Sequence, residues 1–210
     1  MSLELVYFDE TWRAEAIRLL LAYGNKSYED TRLSFPAYSA AKPTLGLPFG
    51  QLPVLRTNGK TYAQSIAIAR YVAKEVGLYP TDNLDALEVD SVVDAIVEMT
   101  NVFVDAVHSM KGEDHLKASI VPINEKIFPR ILAGLEARLV GPYFLGDKIS
   151  YADIFWLDFY QQIWEGNAAL LTARQTDFPK LVLLVATLRG AAPLIAYWAA
   201  HPAKPATSHA

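Results

Sequence analysis

The apolar positions of the first 78 residues alternate between the spacing of strands and the spacing of helices. Leu3–Phe8 is a short apolar run with β-branched and aromatic side chains, which predicts a buried strand. Trp12–Tyr23 follows with apolar residues at helical spacing, and Gly24 stands where a helix C-cap belongs. Ser27–Leu33 is typical of a second strand. Two strands joined by so short a helix predict a parallel β-α-β unit.

A hairpin is predicted next. The stretch Phe35–Gly50 is irregular and marked by prolines, with room for one turn of helix. Beyond it, Leu52–Arg56 and Lys60–Ala63 flank Asn58-Gly59, a dipeptide typical of tight hairpins.

A helix then closes this part of the chain. Ser65 is expected to be the N-cap of a helix over Ile66–Val76, which Gly77 ends. The order β-α-β, irregular link, β-β-α predicts a small sheet with helices that is complete by about residue 78.

Beyond residue 78 the chain shows helical patterns alone. Leu84–Met110 is a long helical pattern, and His115–Leu139 is a second one, in which Pro122 and Pro129 are expected to produce kinks. Two shorter helices are expected near Pro179–Arg189 and Pro193–Ala200.

The sharpest local signal in this half is a helix start at residues 149–154. Ser150 as N-cap and Asp153 at the third helical position form a variant of the capping box. Ile149 and Ile154 stand at the two positions of a hydrophobic staple.

These patterns predict an α+β N-terminal domain followed by an all-α domain. The expected divisions are a sheet domain over residues 1–78, a linker over 79–83, a helical domain over 84–200 and a frayed tail over 201–210.

Composition narrows the function classes. The chain has 210 residues, no cysteine and a net charge of -4. The missing cysteines exclude disulfides, thiolate metal sites and a protein-thiol nucleophile, and the mild negative charge argues against a nucleic-acid partner.

The longest apolar runs, such as Leu181–Leu188, are far shorter than the ~20 residues that span a bilayer. With no secretory signal at the N-terminus, we expect a cytoplasmic protein that binds no membrane.

Searches for common catalytic motifs find no G-x-S-x-G, Walker loop, G-x-G-x-x-G or H-E-x-x-H. His108 and His115 lie near a predicted helix break, where a structural or surface role is the simpler interpretation, and no metal is expected.

The remaining candidates for functional residues cluster in the first 65 residues. Tyr7 ends the first strand and Arg13 begins the helix after it, at the strand end where open α/β sheets place their sites. Gln64-Ser65 opens a helix whose free amides can bind a carboxylate.

Each candidate also has a structural interpretation, as a packed tyrosine, a surface charge or a simple cap. Together they resemble cytosolic glutathione transferases over nearly the whole chain. Most of the matching residues resemble the sigma class of this family. The spacing of Gly50–Pro53 and Gln64-Ser65 resembles the pi class equally well. The segments that carry the resemblance are Tyr7-Phe8, Arg13–Glu15, Leu47–Pro53, Gln64–Tyr71, Val89–Asp94 and Ile149–Asp153.

The resemblance implies a thioredoxin-like N-terminal domain, an all-helical C-terminal domain, a homodimer and glutathione as co-substrate, with no prosthetic group. It implies a detoxifying transferase that conjugates glutathione to hydrophobic electrophiles, in which Tyr7, helped by Arg13, stabilises the thiolate. It also implies that Leu52–Pro53 is a cis peptide bond and that Tyr38 replaces a family tryptophan. The implied glutathione-binding residues are Phe8, Arg13, Tyr38, Lys42, Gln51, Leu52, Pro53, Gln64, Ser65 and, reaching across the dimer, Glu98.

Other assignments leave alternatives open. Core packing competes with ligand binding for the candidate electrophile pocket, which comprises Phe8, Trp12, Phe103, Val104 and His108. Asp90, Asp94 and Glu98 share one helix face, which is either a solvated stripe or, at Glu98, part of the partner's glutathione site. Phe49 matches the aromatic residue that some classes insert into the neighbouring subunit.

Three other functions compete with conjugation. A glutathione-dependent prostaglandin D isomerase would use the same thiolate, and a non-catalytic ligand-binding or lens-type relative would have no need of Tyr7. A thioredoxin or glutaredoxin is excluded by the absence of cysteine.

Overall fold

The structure is a computed structural model that describes residues 2–108 and 112–202, with only the backbone of His108. It forms two compact units. One, the sheet unit, comprises Met1–Val72 and Leu188–Ala210, and the other, the helical unit, comprises Ala73–Thr187. The predicted helix end at Met110 and most of the predicted tail, residues 203–210, lie outside the described residues. The division into domains at residues 79–83 stays a prediction.

The sheet unit is built on a mixed sheet of four strands in the order β2-β1-β3-β4. Strand β1 pairs in parallel with β2, as the short helical connection predicted, and antiparallel with β3. Strands β3 and β4 form the predicted hairpin, with positive φ at both Asn58 (52°) and Gly59 (71°). The strands and the first helix are β1 (Glu4–Phe8), α1 (Trp12–Tyr23), β2 (Glu29–Leu33), β3 (Val54–Thr57) and β4 (Lys60–Ala63).

The link between β2 and β3 holds more helix than the single turn predicted. Helix α2 spans Phe35–Ala41 and continues into a short 3-10 turn at Lys42–Thr44. The Oγ of Ser34 accepts a hydrogen bond from the Ala37 N–H at 3.3 Å. Helix α2 buries no residue, so it leaves no hydrophobic periodicity in the sequence.

Helix α3 spans Ser65–Glu75. It begins one residue before the predicted start, so Ser65 is the first helical residue and the expectation that it is the N-cap is wrong. Gln64 precedes the helix, and its carbonyl accepts the Ile68 N–H at 2.9 Å. Gly77, at a φ of 74°, ends the helix as predicted, and the Leu78 N–H closes it on the Ala73 carbonyl at 2.8 Å.

The predicted single helix over His115–Leu139 is three segments. Helix α5 ends at Pro122, a π-helical turn covers Ile123–Ile127, and α6 has Pro129 in its first turn. Each proline lacks the N–H for a regular helical bond, which explains why the run is interrupted between them. The segments from α4 onward are α4 (Asn83–His108), α5 (Glu113–Pro122), α6 (Phe128–Arg138), α7 (Tyr151–Phe159), a π-helical turn (Tyr160–Glu165), a 3-10 turn (Gln175–Asp177), α8 (Pro179–Arg189) and α9 (Ala192–Ala200).

The predicted capping box at the start of α7 is present. The Asp153 carboxylate accepts the Ser150 N–H at 2.7 Å, the Ser150 hydroxyl at 2.9 Å and the Phe144 N–H at 3.0 Å. Behind the cap, aromatic side chains of α7 fill the core, where Trp156 donates to the Leu181 carbonyl at 2.9 Å. Ile154 is buried and Ile149 half-buried, as a hydrophobic staple requires.

Among the described residues, no single helix is long and apolar enough to cross a membrane. Helices α8 and α9 reach that length and apolarity only when counted together across the break between them.

Candidate functional site

Tyr7 lies at the carboxyl end of β1, where the chain turns into α1, and its side chain is only 6% exposed. Burial raises the pKa of the Tyr7 hydroxyl, while the backbone N–H of Arg13, which donates a hydrogen bond to it, and the Arg13 charge lower it. Burial prevails, so the phenol stays protonated at neutral pH. Tyr7 can therefore donate a hydrogen bond to an anion but cannot act as a base there.

Arg13 is exposed in the first turn of α1, directly after Trp12. The first turn of a helix carries partial positive charge, and the guanidinium adds a full one. The surroundings of the Tyr7 hydroxyl thus favour a bound anion.

The peptide bond between Leu52 and Pro53 is cis, which confirms the expectation at this position. Leu52 is half-buried and Pro53 is buried immediately before β3. Gln51, one residue earlier, is exposed.

Gln64 has a φ of 75°, in the left-handed region that residues other than glycine seldom adopt. Its side chain is exposed, and Ser65 behind it is half-buried at the start of α3. This outlier lies at the N-terminus of an eleven-residue helix, where the first backbone N–H groups have no partner within the helix.

Tyr38 lies in the middle of α2, and Lys42 follows directly after its end. The Tyr38 hydroxyl donates to the Gly50 carbonyl at 3.4 Å, and the Lys42 Nζ is 5.5 Å from the centre of the Tyr38 ring. Phe8 meets the Tyr38 ring edge-on at 4.9 Å. The structure thus groups three of the residues predicted to bind glutathione on one side of the sheet unit.

The residues predicted to bind an electrophile fall in both units. In the sheet unit, Phe8 and Trp12 are half-buried, and Trp12 has a φ of 32°. In the helical unit, Val104 is half-buried, and the side chain of His108 lies outside the described residues. Phe103 is fully buried and packs on Phe128 with ring centres 6.4 Å apart, which favours the core-packing alternative for this residue.

The predicted acidic face of α4 is not uniform. Asp90 accepts hydrogen bonds from the hydroxyls of Tyr79 and Tyr151, so it is a structural acceptor and not a member of a solvated stripe. Glu98 is exposed and pairs with Arg130 of its own chain at 2.6 Å. Any role for Glu98 toward a partner subunit therefore competes with this ion pair.

Sequence reasoning missed a buried charged network behind Tyr7, formed by Arg18, Glu15, Asp30 and Tyr197. The available signal was two charged residues, Glu15 and Arg18, inside the otherwise apolar stretch 14–22 of α1. Among the described residues, no group of three or more possible metal ligands is found.

Comparison with known proteins agrees with this geometry. Residues 1–74 match the family model described as "Glutathione S-transferase, N-terminal domain", and residues 98–201 match "Glutathione S-transferase, C-terminal domain". Glutathione S-transferase S1 of Drosophila melanogaster is 39% identical over 159 residues, which are 74% of this chain and 62% of the fly protein. Hematopoietic prostaglandin D synthase of Mus musculus is 34% identical over 200 residues, 93% of this chain and 94% of the mouse protein.

A solved structure, "rat hPGDS complexed with a quinoline", matches with a TM-score of 0.83 at 29% identity, covering 98% of this chain and 99% of the rat chain. The fold and these relatives define a thioredoxin-like domain followed by helices, as the sequence predicted. The chain belongs to the glutathione S-transferase family, whose members use glutathione as a substrate, and it is a glutathione transferase.

Proposed function

We propose that this chain conjugates the thiolate of glutathione to hydrophobic electrophiles and that the Tyr7 hydroxyl stabilises the thiolate. The observation that carries the proposal is the placement of Tyr7, a buried and protonated phenol at the end of β1, beside the positive first turn of α1.

The free energy that these groups can supply is sufficient to stabilise the thiolate. A free cysteine thiol has a pKa of about 8.5, so glutathione is mostly protonated at neutral pH. Lowering that pKa by about two units requires roughly 2.7 kcal/mol. One hydrogen bond to a charged group supplies about 1.5–3 kcal/mol, so the Tyr7 hydroxyl with help from the Arg13 charge is enough.

Glutathione would be held by the residues around Tyr7. The backbone N–H and C=O of Leu52 would pair with the cysteinyl unit of glutathione. The N-terminus of α3 behind Gln64 and Ser65 would receive the γ-glutamyl carboxylate. Tyr38 would donate its hydroxyl to the glycine carboxylate in place of its present acceptor, the Gly50 carbonyl.

The reaction then needs only proximity. The thiol gives its proton to solvent, and the thiolate attacks the electrophilic carbon, forming the C–S bond as the leaving group departs. With a chloronitrobenzene, chloride leaves. Phe8 and Trp12, which are half-buried and follow Tyr7 by one and five residues, are the proposed apolar contacts for the electrophile in the sheet unit.

We further infer a homodimer, and a cytoplasmic detoxifying role. Phe49 is 66% exposed, so its ring is available to insert into a neighbouring subunit, as the family resemblance implies.

The test is retention on immobilised glutathione followed by assay of the eluate with a chloronitrobenzene. We expect retention and turnover. Retention without turnover would favour a non-catalytic binding protein, and failure to bind would contradict the proposal.

The comparisons favour a second function, the glutathione-dependent isomerisation of a prostaglandin endoperoxide to prostaglandin D. Prostaglandin D synthases of mouse and chicken each match over 93% of this chain. Incubation with a prostaglandin endoperoxide and glutathione would test isomerisation. Formation of prostaglandin D faster than in the glutathione-only control would support it. Products in the ratio of the uncatalysed reaction would exclude it.

A further inference from the structure

Arg18 is a charged residue with no exposed surface, in the middle of α1. Its Nε donates to the Asp30 carboxylate at 3.2 Å. Its Nη1 donates to the Glu10 carbonyl at 2.7 Å and to the Glu15 carboxylate at 3.3 Å. The guanidinium is therefore held in place by three acceptors, one each from β2, α1 and the loop between β1 and α1.

The held guanidinium faces the ring of Tyr7. Its central carbon lies 5.9 Å from the ring centre, within the range of a cation–π contact. Its remaining nitrogen, Nη2, has no hydrogen-bond partner among the described residues. Burial has the largest effect on the Tyr7 pKa and raises it; of the charged groups, Arg13 and Arg18 lower the pKa and Glu10 raises it.

Helix α9 completes the arrangement from the far end of the chain. The Tyr197 hydroxyl donates to Glu15 Oε1 at 2.9 Å, while Glu15 Oε2 pairs with Arg18. Burial and then the Glu15 charge raise the pKa of Tyr197, so its hydroxyl remains a donor. The Tyr197 ring stacks on His201 at 4.6 Å, which fixes its position independently of the hydroxyl.

Stability is a weak explanation for this network. A buried ion pair is seldom more stabilising than apolar residues of the same volume, because both charges lose their hydration. The contact that remains to be explained is the one between Arg18 and the Tyr7 ring.

We propose that Arg18 is a positioning residue for Tyr7 and that Tyr197 of α9 maintains its position through Glu15. The inference rests on the proposed role of Tyr7 in stabilising the glutathione thiolate. The Tyr197 hydroxyl occupies one oxygen of Glu15 and leaves the other for Arg18. Without that hydroxyl, both oxygens are free to bind the guanidinium and draw it away from the Tyr7 ring.

The experiment is a double-mutant cycle on the pKa of the bound glutathione thiol. That pKa is measured from the ultraviolet difference absorbance of the thiolate as a function of pH. The variants are Tyr197→Phe, Tyr7→Phe and the two combined. We expect Tyr197→Phe to raise the thiol pKa by about 0.5 unit, which lowers the thiolate fraction about threefold at pH values below the pKa. In the Tyr7→Phe background the same substitution should have no effect, because Tyr197 acts through Tyr7.

Tyr151→Phe is the matched control, because it removes a phenol-to-carboxylate bond, the one to Asp90, in the helical unit. It should lower the melting temperature and leave the thiol pKa unchanged. Arg18→Lys is the second variant, which keeps the charge, cannot bind both carboxylates as a fork, and should also raise the thiol pKa.

The outcomes separate this inference from the proposed function. An unchanged thiol pKa in folded Tyr197→Phe, or an equal shift in both backgrounds, would overturn the role of the network while leaving Tyr7 in place. An unchanged thiol pKa in Tyr7→Phe would overturn the proposed function, and this inference with it.

Discussion

Replacing Asp153 with alanine should destabilise the fold by an amount that depends on pH in a defined direction. Asp153 has no exposed surface, and its carboxylate accepts three hydrogen bonds at the start of α7. Burial raises the pKa of the Asp153 carboxyl to about 6 from 3.8, although the bonds from Phe144 and Ser150 act to lower it.

The direction of the pKa shift of Asp153 determines how its contribution to stability changes with pH. Since the folded state binds the Asp153 proton more tightly than the unfolded state, the stability that this group contributes is full below pH 3.8 and declines as pH rises through about 6. Each pKa unit is worth about 1.4 kcal/mol, so the decline between pH 4.5 and 7.5 is about 2 kcal/mol. At pH 7.5 the cost of Asp153→Ala should be that of a lost cap, about 0.5–2 kcal/mol. At pH 4.5 it should be about 2 kcal/mol larger.

The assay is urea unfolding of wild type and Asp153→Ala at both pH values, with Asp147→Ala as control. Asp147 is an exposed carboxylate six residues earlier and should show a small cost at both pH values. The Michaelis constant for glutathione should stay near wild type. A cost of Asp153→Ala that is equal at both pH values, or larger at pH 7.5, would refute the reasoning, and a changed Michaelis constant with unchanged stability would refute the structural role.

Two further predictions concern the partner subunit. Glu98→Gln should weaken glutathione binding about fivefold, on the order of 1 kcal/mol, with less effect on turnover and no loss of the dimer. A calorimetric titration that matches wild type would leave Glu98 as the partner of Arg130 alone. Phe49→Ala should shift the chain toward monomers in sedimentation velocity, because it removes the exposed ring expected to insert into the neighbour. An unchanged monomer–dimer balance would contradict that role.

The elements with strong local signals were predicted closely. Helix α1 was predicted with its observed bounds, Trp12–Tyr23, because apolar spacing and Gly24 both mark it. The hairpin at Asn58-Gly59 and the capping box at Ser150 were confirmed for the same reason, since each is encoded by adjacent residues. Recognition of the family rested on several such segments together.

What escaped prediction depends on contacts that adjacent residues do not encode. The π-helical turn at Ile123–Ile127 replaces a predicted kink, because its bonding pattern is set by packing as well as by prolines. The Ser65 cap was misplaced by one residue, since helix bounds depend on backbone geometry such as the positive φ of Gln64. The network of Arg18 joins Glu15 to Tyr197, which lies 182 residues away, so no local pattern reveals it.

The central claim is that the Tyr7 hydroxyl stabilises the glutathione thiolate, and Tyr7→Phe tests it most directly. The ring remains to pack in β1, and only the O–H is lost, so the variant should fold and bind glutathione. A titration of bound thiolate against pH should then show the thiol pKa rising by about two units toward the free value. At pH 7 the thiolate fraction, and the conjugation rate with it, should fall roughly 25-fold. A thiol pKa equal to that of wild type in a folded, glutathione-binding Tyr7→Phe variant would contradict the account and point to the Arg13 charge instead.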